Sequence, residues 1–157
     1  MKKFIVFLFS LSVLFGYYEK MCKVLPDKID SFVKVGKCEG MDIKSSQANA
    51  SQAVKNFEKG DKKISITLLS GFYAMQASAP MMMNMQMETN DMKMQTFTFK
   101  NFKCMLNYNK TDKNGALIVL IKQNPTIVMV IEFDKMQPEE AKKILNQINL
   151  KKIKSSL

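Results

Sequence analysis

Apolar and polar residues alternate along much of the chain, and this period of two is typical of half-buried β-strands. Alternation begins near Gln47 and is clearest at residues 63–69, where Ile64, Ile66 and Leu68 share one face. Residues 56–61 lie between these two stretches and are rich in turn-forming residue types. The pattern therefore predicts a β-hairpin with its turn near residue 60.

A second group of strands is predicted in the following half of the chain. Residues 95–108 alternate again, with an irregularity at positions 100 and 101, and residues 111–115 are a strong turn signal. The runs 116–121 and 127–133 are apolar on both faces, which is typical of central strands. A proline-containing turn separates these two runs, so the three stretches predict a three-stranded meander.

Two helices are predicted from composition and from end signals. Residues 72–86 are rich in alanine and methionine with few charges, and Pro80 either kinks this helix or begins a second segment. The closing helix begins at Pro138, with Glu139 and Glu140 in a first turn where the helix dipole favours anions. An apolar stripe follows along one side of this helix, which therefore has a surface to bury.

The order of hairpin, helix, meander and helix predicts an α+β fold. We expect a single antiparallel sheet with the apolar, methionine-rich helix and the C-terminal helix packed on it. This α+β domain covers residues 47–157. Residues 17–46 are an N-terminal segment of the same domain, with an amphipathic piece that Pro26 interrupts and a turn-like stretch at residues 36–41.

Residues 1–16 have the pattern of a secretory signal peptide. Lys2 and Lys3 form a basic start, residues 4–15 form an apolar core, and Gly16 offers a small residue for cleavage. The apolar run is shorter than the roughly 20 residues that a membrane-spanning helix needs. We therefore expect a periplasmic or secreted protein after cleavage near Gly16. The alternative is an apolar start that is retained and holds the protein at the membrane surface.

Histidine and arginine are both missing from the chain, whose formal net charge is +10. Without histidine, Ser/His and Cys/His nucleophiles and histidine-based zinc sites are excluded. Paired carboxylates, a glycine-rich phosphate loop and a dinucleotide motif are missing too, so we expect no enzyme and no organic cofactor. Because all of the positive charge is on lysine, binding to nucleic acid is not favoured. The bidentate contacts to phosphate and guanine are made by the guanidinium groups of arginine. Peripheral contact with an anionic membrane surface is compatible with this charge.

Three cysteines follow the predicted signal peptide, and export would place them where disulfides persist. Cys22 and Cys38 lie on either side of a segment that can fold back on itself, so this pair is the favoured disulfide. Closing a loop of that length stabilises a protein by about 3 kcal/mol. Cys104 would then remain as a buried strand residue. The alternative pair, Cys38 with Cys104, would tie the N-terminal segment to the sheet.

Four short motifs in this sequence resemble those of one protein family. The first is L-P-x-x-I at residues 25–29, and the second is a strand rich in serine and alanine before Phe57 and Gly60. The third is K-I-S-I-T at residues 63–67, which leads into Gly71 and an apolar helix.

The fourth motif begins at Tyr108 and continues as K-x-G-A-L at residues 113–117, followed by an apolar hairpin and a closing leucine-rich helix. Together the motifs resemble a family of small exported bacterial proteins of unassigned activity, and the resemblance spans residues 22–157. Family members often have an acidic residue where this chain has Ser70. The element order is also similar to the PsbP-like fold. The resemblance implies an architecture and export, and it transfers no functional residue.

The most unusual local feature is the concentration of methionine at residues 75–94. Thioethers are soft ligands that select Cu(I), and methionine also fills core gaps and forms adaptable binding surfaces. The candidate Cu(I) ligands are Met83, Met85, Met87, Met92 and Met94. We predict an exported, non-catalytic binding or structural module whose methionine-rich helical surface contacts an unidentified protein or apolar ligand in the envelope. The alternatives are a Cu(I)-binding envelope protein and an envelope protein associated with the membrane surface.

Overall fold

The computed structural model describes residues 16–46 and 48–157. Residues 1–15 of the predicted signal peptide lie outside this part, as does Gln47, where the pattern predicts the first hairpin to begin. The helices are α1 (Tyr17–Val24), α2 (Phe72–Ser78), α3 (Pro138–Gln147) and α4 (Leu150–Ser156), with a 3-10 helix at Ala79–Met82. The strands are β1 (Val33–Lys44), β2 (Asn49–Lys59), β3 (Lys62–Gly71), β4 (Gln86–Glu88), β5 (Met92–Phe99), β6 (Phe102–Asn109), β7 (Asn114–Gln123) and β8 (Thr126–Asp134).

Within the described residues the strands form one eight-stranded antiparallel sheet in the order β1-β2-β3-β8-β7-β6-β5-β4. The α+β class and the single antiparallel sheet are therefore confirmed. The predicted first hairpin is the pair β2 and β3, with Gly60 in its turn. Because β3 lies beside β8, the chain leaves the centre of the sheet after β3 and returns through β4 at the far edge.

The sheet contains more strands than the pattern predicts. The turn-like residues 36–41 lie within β1, where a bulge between Val35 and Glu39 absorbs the irregularity while β1 pairs with β2. Lys100 and Asn101 both have positive φ angles, 47° and 67°, and form the two-residue turn that separates β5 from β6. The pattern thus missed β1 and predicted β5 and β6 as one strand. It also missed the short edge strand β4.

Alternate residues of the central strands point to opposite sides of the sheet and enter two separate hydrophobic clusters. We call the side with the larger cluster the main face, and α1, α3 and α4 cover it. The buried residues that these helices contribute are Met21, Ala141, Ile144, Leu145, Leu150 and Ile153. The opposite side is the second face, which α2 and the 3-10 helix cover in part. Its smaller cluster consists of Ala74, Met81, Met105, Leu120 and Val128.

The methionine-rich helix is shorter than the pattern predicts. α2 ends at Ser78 instead of near residue 86, and Pro80 lies in the first turn of the 3-10 helix. Proline has no N–H to donate within a helix, so it favours a break at this point. Methionine then alternates with polar residues in M-N-M-Q-M at residues 83–87, and this period of two matches the extended chain that enters β4. Much of the methionine-rich segment therefore lies in strands and connecting turns.

Cysteine pairing follows the favoured prediction. Cys22 of α1 and Cys38 of β1 form a disulfide, with their Cα atoms 5.8 Å apart. Cys104 of β6 is a free, buried cysteine on the main face. Burial raises the pKa of the Cys104 thiol to about 12, because the thiolate would lose its hydration. The disulfide fastens α1 to the edge strand of the sheet.

A buried lysine makes a second connection between the N-terminal segment and the sheet. Lys55 of β2 is buried, and its ammonium group donates to the Leu25 carbonyl oxygen at 2.9 Å and to the Asp27 carboxylate at 3.0 Å. Lys34 also donates to Asp27, at 2.9 Å. Hydrogen bonds from Lys34 and Lys55 hold the pKa of Asp27 below its usual value. The segment after α1 is thus held by charge-assisted hydrogen bonds as well as by apolar packing.

Candidate functional site

The methionine-rich segment lies over the second face and along the β4 edge of the sheet. Several of its side chains are largely exposed, and we call this group the methionine surface. Its members and their exposed fractions are Met75 (60%), Met82 (61%), Met83 (66%), Met87 (43%) and Met92 (36%). Met81, in contrast, is fully buried in the smaller cluster and fixes the 3-10 helix against the sheet. The surrounding thioethers are therefore held in place and remain accessible.

Two neighbouring strands align four methionines on the second face, and we call these four the methionine ladder. Met87 of β4 lies directly opposite Met94 of β5, which packs against the smaller cluster. Met92 is two positions from Met94 and shares its face. Met85 continues the β4 row, because its N–H donates to the Thr96 hydroxyl at 3.0 Å and its carbonyl accepts from the Thr96 N–H at 2.9 Å.

The fold therefore brings together four of the five candidate Cu(I) ligands. Directly opposite residues in an antiparallel pair have Cβ atoms about 5 Å apart, so the flexible thioethers of Met87 and Met94 can converge on one ion, with Met85 and Met92 on opposite sides of this pair. Met83 lies in the bend before β4 and projects into solvent, apart from the ladder. The ladder offers soft sulfur ligands in a setting that suits Cu(I).

No group of three or more histidine, cysteine, aspartate or glutamate side chains in the described residues could hold a metal ion. The Cys104 thiol is buried on the main face and cannot reach the ladder. Glu88 of β4 points to the opposite side from Met87, and its carboxylate pairs with Lys110 at 2.8 Å. A hydrogen bond from Lys110 lowers the pKa of Glu88. Thioethers are thus the ligands that this edge of the sheet presents.

Sequence reasoning did not find a cavity of about 700 Å³ at one end of the main face. Its lining combines α1, the adjoining ends of β1, β2 and β3, Pro125 and Leu157. Two of the lining residues, Ser51 and Ser70, are buried hydroxyl residues on neighbouring strands. These segments are far apart in the chain, so no local motif indicates the cavity. The available signal was a serine near one end of the inward face of each of these two strands.

The closing helices add exposed lysines but no membrane segment. Lys151 and Lys152 lie exposed on α4, and the Lys154 ammonium group lies 5.9 Å from the centre of the Phe102 ring. No helix in residues 16–46 or 48–157 combines the length and hydropathy that a membrane span requires.

Comparisons with protein-family models, with curated proteins and with solved structures give no match to this chain.

Proposed function

We propose that the protein is an exported, non-catalytic binding module whose methionine surface contacts an apolar surface of a partner protein in the envelope. The exposure of Met75, Met82 and Met83 is the observation that carries this proposal. Monomeric proteins rarely expose large contiguous apolar patches, and such patches commonly mark interaction sites. A thin cover on the second face leaves these side chains free for a partner.

The chemistry of the surrounding segment supports the same function. Residues 72–87 contain no charged side chain, and depletion of charge is typical of interface cores. Phe72 at the start of α2 is 47% exposed and adds an aromatic contact next to the methionines. Methionine is unbranched and polarisable, so it can adapt to a partner surface without an exact fit.

Export is part of the proposal and has two supports. The basic and apolar start at residues 2–15 followed by Gly16 has the pattern of a cleavable signal peptide. The disulfide between Cys22 and Cys38 is of a kind that persists outside the reducing cytosol. Fractionation with N-terminal sequencing tests export: we expect Tyr17 as the first residue of envelope protein. Intact residues 1–16 on the cytosolic protein would contradict it.

Site-specific photocrosslinking in the producing cells tests the methionine surface. A photoreactive amino acid at Gln76, which is exposed on α2, should yield a discrete crosslinked product with the partner. We expect Met75→Gln, Met82→Gln and Met83→Gln together to lower this yield about tenfold, because polar side chains weaken apolar contacts. The corresponding leucine variants should retain most of it.

Met41 provides the matched control, since it is 46% exposed on β1 at the opposite edge of the sheet. Met41→Gln should leave the crosslinked product unchanged. An equal loss with Met41→Gln, or an unchanged yield with the triple glutamine variant, would contradict the proposed surface.

A second candidate function is Cu(I) binding, and the alignment of the methionine ladder favours it. Two M-x-M sequences on adjacent strands place Met87 and Met94 side by side, with Met85 and Met92 one step along the same rows. Cu(I) accepts thioether ligands alone, whereas Cu(II) and zinc prefer nitrogen or thiolate ligands. The ladder would therefore be selective for the reduced ion.

Competition titration against a coloured Cu(I) chelator tests this second function. Ascorbate keeps the copper reduced while the disulfide between Cys22 and Cys38 stays intact, so no new thiols compete. We expect one bound ion, with an affinity reduced at least about tenfold in a variant with leucine at all four ladder positions. Met83→Leu should bind normally because Met83 lies outside the ladder. Equal binding by the ladder variant would rule out this site.

A further inference from the structure

The cavity at the end of the main face has the size and form of a small-molecule site. Its volume of about 700 Å³ lies within the range of roughly 300–1,000 Å³ that ligand pockets occupy. Apolar groups form most of its wall, with Tyr17 of α1, Pro125 of the turn between β7 and β8, and Leu157 among them. This cavity is distinct from the methionine surface, so an inference about it does not rest on the proposed function.

A row of three polar residues crosses the sheet at the base of the cavity. Asp42 of β1 lies opposite Ser51 of β2, and Ser51 lies opposite Ser70 of β3. Directly opposite residues share a face of the sheet, so all three side chains point to the main face. The neighbouring row along the same strands contains Ala53 and Leu68, which belong to the main core. The polar row thus marks the place where the core ends and the cavity begins.

The two serine hydroxyls on this row are buried but have no side-chain hydrogen bond to any described residue. Ser51 is 8% exposed and Ser70 is 7% exposed, and both line the cavity. Neither oxygen is fully sealed from solvent, which means that both hydroxyls open into the cavity. A hydroxyl that opens into a cavity without a protein partner can donate a hydrogen bond to a polar ligand atom there.

The charge at the mouth of the cavity is predominantly positive. Lys20 of α1 and Lys44 at the end of β1 are exposed lining residues, and Lys23 of α1 lines the cavity as well. Asp42 is the acidic side chain among the lining residues, and its carboxylate accepts the Tyr18 N–H at 3.0 Å, at the start of α1. Lysine side chains therefore outnumber acidic side chains in the lining of the cavity, which favours an anion there.

We propose that this cavity binds a small carboxylate with an apolar body, such as a medium-chain fatty acid. The carboxylate accepts hydrogen bonds from the Ser51 and Ser70 hydroxyls and lies in the field of Lys20 and Lys44. The apolar body lies against Tyr17, Pro125 and Leu157. Partial burial raises the pKa of Tyr17, which keeps this part of the wall uncharged.

Isothermal titration calorimetry with decanoate, on protein purified as the producing cell makes it, tests this site. We expect one decanoate per chain and weaker binding as salt concentration rises, because the lysines at the mouth are exposed and screened. Decyltrimethylammonium, which has the same alkyl chain and the opposite charge, should bind at least about tenfold more weakly. Equal binding of the two probes, or no binding of decanoate, would overturn the proposal.

Two sets of variants locate the site. Lys20→Gln with Lys44→Gln, and separately Ser51→Ala with Ser70→Ala, should each weaken decanoate binding about tenfold. Lys28→Gln with Lys152→Gln is the matched control, since it removes the same charge from exposed positions outside the lining. Decanoate binding that is equal in the control and in the Lys20/Lys44 variant would overturn the assignment to this cavity.

The lysine variants alter exposed side chains, so their folding is not at risk if the serine variant is unstable. Met87→Gln separates the test of the carboxylate site from the test of the methionine surface, because it changes the methionine surface and leaves the cavity intact. It should bind decanoate normally, whatever its effect on partner crosslinking. The outcome for the carboxylate site is therefore independent of the outcome for the methionine surface.

Discussion

The main face and the second face of the sheet differ in how completely they are covered. On the main face, α1, α3 and α4 together bury nearly every inward side chain of the central strands. On the second face, the seven-residue α2 and a single 3-10 turn cover a smaller cluster, and methionines beside it remain exposed. The main face therefore supplies most of the stability, whereas the thinly covered second face leaves apolar side chains exposed.

The largest expected effect comes from leucines on the two sides of β7. Leu117 is fully buried on the main face, and Leu120 is 8% exposed on the second face. Leu117→Ala should lower the free energy of unfolding by about 4 kcal/mol and Leu120→Ala by about 2 kcal/mol, because the thinner layer can relax into the space. Urea denaturation measures both values. Equal losses would show that the two layers are equally tight.

Removal of the disulfide tests how α1 is held on the main face. Replacing Cys22 and Cys38 with alanine should lower the free energy of unfolding by about 3 kcal/mol, because the unfolded chain regains the freedom of the loop. Denaturation without reducing agent measures this loss. Cys104→Ala is the control that keeps the disulfide, and its effect should be smaller. A double variant as stable as the unaltered protein would mean that packing alone holds α1 in place.

A smaller, pH-dependent effect is expected at Asp27. The folded pKa is lowered by hydrogen bonds from Lys34 and Lys55, so the contribution to stability is present above the unfolded pKa of roughly 3.9. It is lost as the pH falls through the folded pKa. Asp27→Asn should cost less than about 1 kcal/mol at pH 7, since this carboxylate is exposed and screened by solvent.

Urea midpoints measured from pH 7 down to pH 3 test the Asp27 prediction. The difference between Asp27→Asn and the unaltered protein should shrink at the acidic end of this range. Asp61→Asn is the matched control, because Asp61 makes a longer, exposed ion pair with Lys135 at 3.8 Å. A difference that is constant with pH would contradict a role for the Asp27 charge.

Oxidation of the methionine surface should have the smallest effect on stability. Dilute peroxide should convert Met75, Met82 and Met83 to sulfoxides before Met21 and Met129, which are fully buried on the main face. Peptide mass spectrometry reports the order of oxidation. Because sulfoxides at exposed positions touch little of the core, the free energy of unfolding should change by less than about 0.5 kcal/mol. Early oxidation of Met129 would show that the main face opens readily.

Periodicity correctly predicted elements whose buried face is set by alternation within one strand. The alternation at Ile64, Ile66 and Leu68 correctly placed these residues on one buried face, and the spacing of Cys22 and Cys38 favoured the observed disulfide. The M-x-M alternation also contained the signal for strands, but the helix propensity of alanine and methionine outweighed it in the prediction. Pairing of β4 with β5 resolved this conflict in favour of the extended chain.

The two candidate sites differ in how far the sequence could reveal them. The methionine surface is concentrated at residues 75–94, so composition alone indicated it, although not its arrangement as a ladder on two strands. The cavity is assembled from α1, three strand ends, Pro125 and Leu157, which no local pattern connects. Ser51 and Ser70 look like ordinary strand serines until the register of β2 and β3 brings them together.

The sequence by itself determined the α+β class, the hairpin of β2 and β3 and the soft thioether chemistry of the methionine-rich segment, because these depend on period, propensity and residue type. Tertiary structure alone decided which methionines are buried and which are exposed, and it alone brought the polar row of Asp42, Ser51 and Ser70 to the end of the core. The physical reason is that strand pairing sets contacts between residues distant in the chain, and those contacts decide burial.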